Sequence, residues 1–80
     1  MERNLKYNRI REVLESRGIK QTWLAEQLGK TFRQVNAYVT NTVQPAIPVL
    51  YEIARILNVP PRELICEESI EDLKKVKEKV

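Results

Sequence analysis

The sequence predicts an all-α fold, and three observations carry the prediction. Apolar residues recur three and four positions apart in successive short runs, the period of a helix with one buried face. The two glycines of the chain, Gly18 and Gly29, each fall just past the last periodic residue of a run. That is the left-handed position at which helices stop. Prolines and capping patterns stand where helices should begin. An apolar fraction of 42% with 31% charged residues is that of a globular chain. Eighty residues make one domain near the lower limit for a core that folds unaided.

The elements follow in order. Residues 5–17 form the first helix, with Ile10, Val13 and Leu14 on its buried face, Leu5 over one end and Gly18 as the stop. Arg3, Lys6, Arg9, Arg11 and Arg17 dot its other faces. Ile19 tucks under a second helix that begins near Gln21 and buries Leu24, Ala25 and Leu28. Lys20 stands where a Ser or Thr cap is expected, so this helix starts without a local cap. Trp23 lies off the Leu24/Leu28 stripe; it either lies flat on a neighbouring helix or offers a contact surface. After Gly29, Thr31 is an N-cap, and Gln34 completes a T-x-x-Q capping box for a third helix over 32–39. Val35 and Tyr38 supply its inner face. Two helices joined by a glycine turn are a helix-turn-helix, a device that places its second helix in the DNA major groove. A plain helical hairpin within a bundle has the same periodicity.

Residues 40–46, TNTVQPA, read as a loop. Pro48 fits the first turn of a fourth helix, where its missing N–H costs nothing. Leu50, Ile53, Ala54 and Leu57 give that helix a strong apolar stripe, and Asn58 can end it in the left-handed region. Pro60 and Pro61 block continuation and open a short fifth helix over 61–66, whose Leu64 and Ile65 close the core. Residues 1–66 thus make the domain and 67–80 a helical extension. Ser69 to Asp72 is a further capping pattern ahead of Ile70, Leu73 and Val76. The apolar stripe of that tail helix, over 69–79, packs on its own domain or meets a second copy.

Charge is uneven along the chain. Residues 1–45 carry eight Lys/Arg against four Glu, a balance of +4, and residues 46–80 carry six against seven, a balance of −1. A basic half suits a polyanion contacted through one face. One cysteine, Cys66, excludes an internal disulfide. The first residues have no apolar run like that of a signal peptide, and no stretch approaches a membrane span. The cytoplasm is the expected compartment. An enzyme is the weakest reading: the chain has no histidine, no glycine-rich phosphate loop and no metal-ligand cluster. Cys66, with no histidine partner, reads as a structural thiol. No cofactor and no metal are expected.

On the outer face of the third helix, Arg33 can donate two hydrogen bonds to guanine O6 and N7. Asn36 or Gln34 could pair with adenine or hold a phosphate, and Phe32 and Ala37 could touch thymine methyl groups.

Taken together, IREVLESRGI, QTWLAEQLGKT, Val35 with Tyr38, Gln44-Pro45, LYEIARILNV and PRELI resemble the helix-turn-helix family of lambdoid phage repressors and Cro, the Xre family. The resemblance covers residues 10–65 without a gap. It implies a five-helix lambda-repressor-like DNA-binding domain, here with an extra C-terminal helix. By that resemblance Gln21 bonds a DNA phosphate and buttresses the first base-reading side chain. Thr31, Phe32, Arg33 and Ala37, with Asn36 beside them, take the base-reading positions. Backbone amides of residues 40–43 resemble those that hold the next phosphate, so Thr40, Asn41 and Thr42 join Gln21 and Gln34 as phosphate contacts.

Two departures stand out. Where the family often has Glu-Asn-Gly, this chain has Val39-Thr40-Asn41, so Asn41 must serve for glycine in any left-handed turn. Phe32 and Ala37 occupy reading positions that are usually polar, leaving Arg33 to carry most of the hydrogen-bonded selectivity.

The function implied is a sequence-specific double-stranded DNA-binding transcriptional regulator, a repressor or autoregulator, acting as a homodimer on a palindromic operator. The fifth helix and the tail residues Ile70, Leu73 and Val76 are the expected dimer surface. The rival reading is an antitoxin-like module that binds a protein partner through Trp23, Phe32 and the tail. Neither reading involves a membrane.

Overall fold

The computed structural model describes residues 6–66. Over them run α1 (Ile10–Arg17), α2 (Gln21–Leu28), α3 (Phe32–Val39), α4 (Ile47–Leu57) and a 3-10 turn (Pro61–Leu64). The first three helices have eight residues each, about 12 Å of length. Helices so short are marginal alone in water, so their stability rests on the faces they bury. α2 packs against α3 and α4, α1 against α3 and the 3-10 turn, and α4 against that turn. Ile10, Leu24, Val35, Ile53, Leu57 and Leu64 meet at the centre, none more than 2% exposed. Burying each such side chain stabilises the fold by about 1.5–3 kcal/mol. No helix among the described residues is long and apolar enough to cross a membrane.

The four described α-helices end in one way. Gly18, Gly29, Asn41 and Asn58 have φ of 66°, 69°, 64° and 58°. The residue after each donates its N–H five positions back: Ile19 to Leu14, Lys30 to Ala25, Thr42 to Ala37 and Val59 to Ala54. This bond satisfies a carbonyl that the helix itself leaves open. The four stops are those the sequence signals, with Asn41 in the left-handed role that the missing glycine leaves to it.

Three expectations are corrected. The first helix begins at Ile10 and not at residue 5. Residues 7–9 spend their backbone groups elsewhere: Arg9 N–H donates to Leu64 O, and Cys66 N–H donates to Tyr7 O, both at 2.9 Å. These bonds lay Asn8 antiparallel beside Ile65 as an isolated bridge. Leu5 and Arg3 lie outside the described residues.

The expected fifth helix over 61–66 is a single 3-10 turn that stops at Leu64. Leu64 closes the core, whereas Ile65 is drawn into the bridge and stays 39% exposed. On α3 the fully buried pair is Val35 and Val39, with Tyr38 only half-buried against them. The tail helix over 69–79, with Ile70, Leu73 and Val76, lies outside the described residues.

Candidate nucleic-acid interface

The turn between α2 and α3 sets the start of α3. Thr31 takes extended backbone angles, and its Oγ1 accepts from Gln34 N–H at 3.1 Å. Gln34 Oε1 accepts from Thr31 N–H at 2.9 Å, closing the capping box expected from T-x-x-Q. The Thr31 and Gln34 side chains are thereby committed to the cap, and Thr31 Oγ1 also donates to Gln34 Oε1 at 3.3 Å. What Gln34 keeps for a ligand is its amide nitrogen. α2 begins at Gln21, and Lys20 before it supplies no side-chain cap, as expected.

With Val35 and Val39 turned inward, helical geometry brings Phe32, Arg33, Asn36 and Ala37 to one outer face. Phe32 is 51% exposed, Arg33 and Asn36 are exposed, and Ala37 is half-buried. Gln21, the first residue of α2, crosses to this face and donates from Nε2 to Asn36 Oδ1 at 3.1 Å. The buttress therefore falls on Asn36, one turn into α3. Phe32, at the position the resemblance gives to the first base reader, offers a glutamine amide nothing to bond. Trp23 remains 43% exposed and outside the core.

The loop after α3 differs from its expected form. The amides of residues 40–43 all donate inward: Thr40 to Asn36 O, Asn41 to Tyr38 O, and both Thr42 and Val43 to Ala37 O. The hydroxyls of this loop are bonded within it as well. Thr40 Oγ1 and Thr42 Oγ1 lie 2.8 Å apart, and Thr40 Oγ1 is 3.3 Å from Ala37 O.

Asn41 turns its side chain into the protein. Its Oδ1 accepts from Tyr7 N–H and Asn8 N–H, each at 2.9 Å, and from Gln44 Nε2 at 3.1 Å. Its Nδ2 donates to Asn8 O at 3.2 Å.

Asn8 is the residue that sequence reasoning missed. It is 3% exposed, and buried amides need partners. Its Nδ2 donates to Tyr38 O at 3.0 Å and to Gln44 Oε1 at 2.8 Å, while its Oδ1 accepts from Ile10 N–H at 3.1 Å. An asparagine between Tyr7 and Arg9, outside any periodic run, carries no local signal of this role. Gln44 thus serves as a strut between Asn8 and Asn41.

Beside the loop, Lys6, Arg11, Glu12, Thr40 and Asn41 line a shallow cleft. Lys6 pairs with Glu12 there, and its hydrogen bond holds the Glu12 carboxyl below the usual range. Among the described residues there is no group of three metal-ligating side chains.

Comparison with known proteins agrees with this architecture. No protein with a curated description matches the chain. The crystal structure of a "putative DNA-binding protein" from Bacteroides fragilis matches with a TM-score of 0.74 and 40% identity. The match covers 75% of this chain and 97% of that one. The helix-turn-helix family matches residues 10–64, from the start of α1 to the end of the 3-10 turn. The chain belongs to this family of lambda-repressor-like (Xre) helix-turn-helix proteins.

Proposed function

We propose that this protein is a sequence-specific double-stranded DNA-binding transcriptional regulator, a repressor or autoregulator in the cytoplasm. One observation carries the reading: α3 stands at the end of a capped helix-turn-helix with its Arg33 face uncovered. α3 enters the major groove, and Arg33 donates to guanine O6 and N7. Phe32 and Ala37 meet thymine methyl groups, Asn36 contacts a base edge, and Thr31 sets the depth of entry through its cap. Gln21, Gln34, Thr40 and Thr42 hold phosphates, and Asn41 gives the loop the shape that presents its hydroxyls. The basic balance of residues 1–45 supports this assignment.

A single module buries too little surface for tight operator binding, so the protein acts as a homodimer. Its two α3 helices would read half-sites about 34 Å apart on a palindrome. The tail residues Ile70, Leu73 and Val76 are the proposed contact between copies. The exposed Ile47 and Tyr51, one turn apart on α4, leave apolar surface that a second copy can also cover.

The test is selection from a random double-stranded DNA library at physiological salt, on the wild type and on Arg33→Ala. A palindromic consensus is expected, with one guanine whose preference disappears in the variant at a cost of about 1–3 kcal/mol. Binding without consensus that fades steeply with salt would reduce the interaction to phosphate contacts and sink the specific-regulator reading. The exposed Trp23 and Phe32 favour a second reading, an antitoxin-like module binding protein. Under it, Arg33→Ala leaves partner binding intact.

A further inference from the structure

We propose that the reading face of α3 offers hydrogen-bond donors alone, and that Gln21 is the positioning residue that makes it so. The inference rests on the DNA-reading function proposed above and names the base edges it selects.

An asparagine amide has an acceptor corner and a donor corner, and which one faces a base decides what it reads. Free to turn, Asn36 would pair with adenine through both corners. Gln21 removes that freedom. Its Nε2 donates to Asn36 Oδ1, so the oxygen is held back towards α2 and Nδ2 is the corner left to project. Among the described residues Asn36 Nδ2 has no protein partner.

The other candidate acceptors on this part of α3 are engaged as well. Gln34 Oε1 is held by Thr31 N–H, and the Thr31 hydroxyl is spent within the cap. Phe32 and Ala37 have no polar side-chain atoms, and the Arg33 guanidinium is a donor throughout. The outward set is therefore Arg33, Asn36 Nδ2 and Gln34 Nε2. A face of donors matches guanine, with O6 and N7, and the O4 of thymine, and it disfavours adenine, whose N7 acceptor stands beside an N6 amino donor. It repels cytosine, whose N4 amino group is itself a donor.

The test is library selection on the wild type, Asn36→Ala and Gln21→Glu, with melting temperatures alongside. A glutamate at the first position of α2 suits the helix N-terminus, so the variant folds. Its carboxylate has no donor, so Asn36 must turn Nδ2 towards it and present Oδ1 to the DNA.

Asn36→Ala locates the base, which in the wild type is guanine or thymine. In Gln21→Glu that position changes to adenine or cytosine, by about tenfold in relative preference. A purely structural or phosphate-holding role for Gln21 would lower stability or overall affinity, the carboxylate repelling a nearby phosphate, and leave the base unchanged, which overturns the proposal. An adenine or cytosine preference in the wild type at the Asn36 position overturns it too. A wild type with no consensus anywhere is a separate failure, that of the specific-reader function itself.

Discussion

Asn41 and Asn58 end consecutive helices in the same left-handed conformation, with φ of 64° and 58°. Around Asn58 the bonds are local. Its N–H donates to Arg55 O and the next N–H to Ala54 O. Around Asn41 they cross the domain, because its side chain satisfies two backbone N–H groups of residues 7 and 8 and one carbonyl. One asparagine is a stop, and the other is a stop and a junction. Backbone conformation says where a helix ends; the side chain's partners decide what else depends on that ending.

Substitution by glycine separates the two roles, since glycine keeps the left-handed angle and deletes the side chain. The largest effect is expected for Asn41→Gly, which leaves the part-buried Asn8 N–H without its acceptor and removes the tie from Asn41 to Asn8 O and to the Gln44 amide. We expect a loss of about 2–3 kcal/mol, read as a fall in melting temperature of roughly 10–20 °C. An unchanged melting temperature would mean that water replaces the network without cost.

Gly29→Ala tests the backbone angle with no junction present. Nothing lies within 4 Å of the added Cβ, so the cost is the left-handed angle alone, about 1 kcal/mol by denaturant unfolding. A cost as large as that of Asn41→Gly would erase the distinction between stop and junction. Smallest is Asn58→Gly, within a few tenths of a kcal/mol in the same assay. A cost above about 1 kcal/mol there would show that Asn58 too holds something beyond its own turn.

The same division separates what was legible in the sequence from what was not. α2, α3 and α4 announce themselves because their signals are local: Gly29 stops one helix, Thr31 and Gln34 box the next, and Pro48 and Asn58 bracket the last. The start of α1 was misplaced because residues 7–9 take partners near residues 41 and 65, at distances that no window of sequence samples. Ile65 looked like core for the same reason. In the candidate site the exposed face of α3 followed from helical period. The Gln21–Asn36 bond did not, since it depends on how two helices cross. The inward turn of the loop amides was equally hidden, because a free amide and a capped one share one sequence.

The bridge between Asn8 and Ile65 gives the domain two kinds of cooperativity. The bonds that shape the turn into α3 span a few residues, so that unit closes at little entropic cost. The loop that follows is held by Asn8, and the segment of Asn8 is held in turn by Leu64 and Cys66 from the far end of the described chain. Joining such distant segments carries a loop-closure cost that grows as the logarithm of their separation. Opening that clasp frees the Thr40 and Thr42 hydroxyls from their fixed placement while leaving the α2–α3 pairing whole, a local opening distinct from unfolding. The loop after α3 is thus a part of the candidate site whose order is linked to the chain having closed on itself.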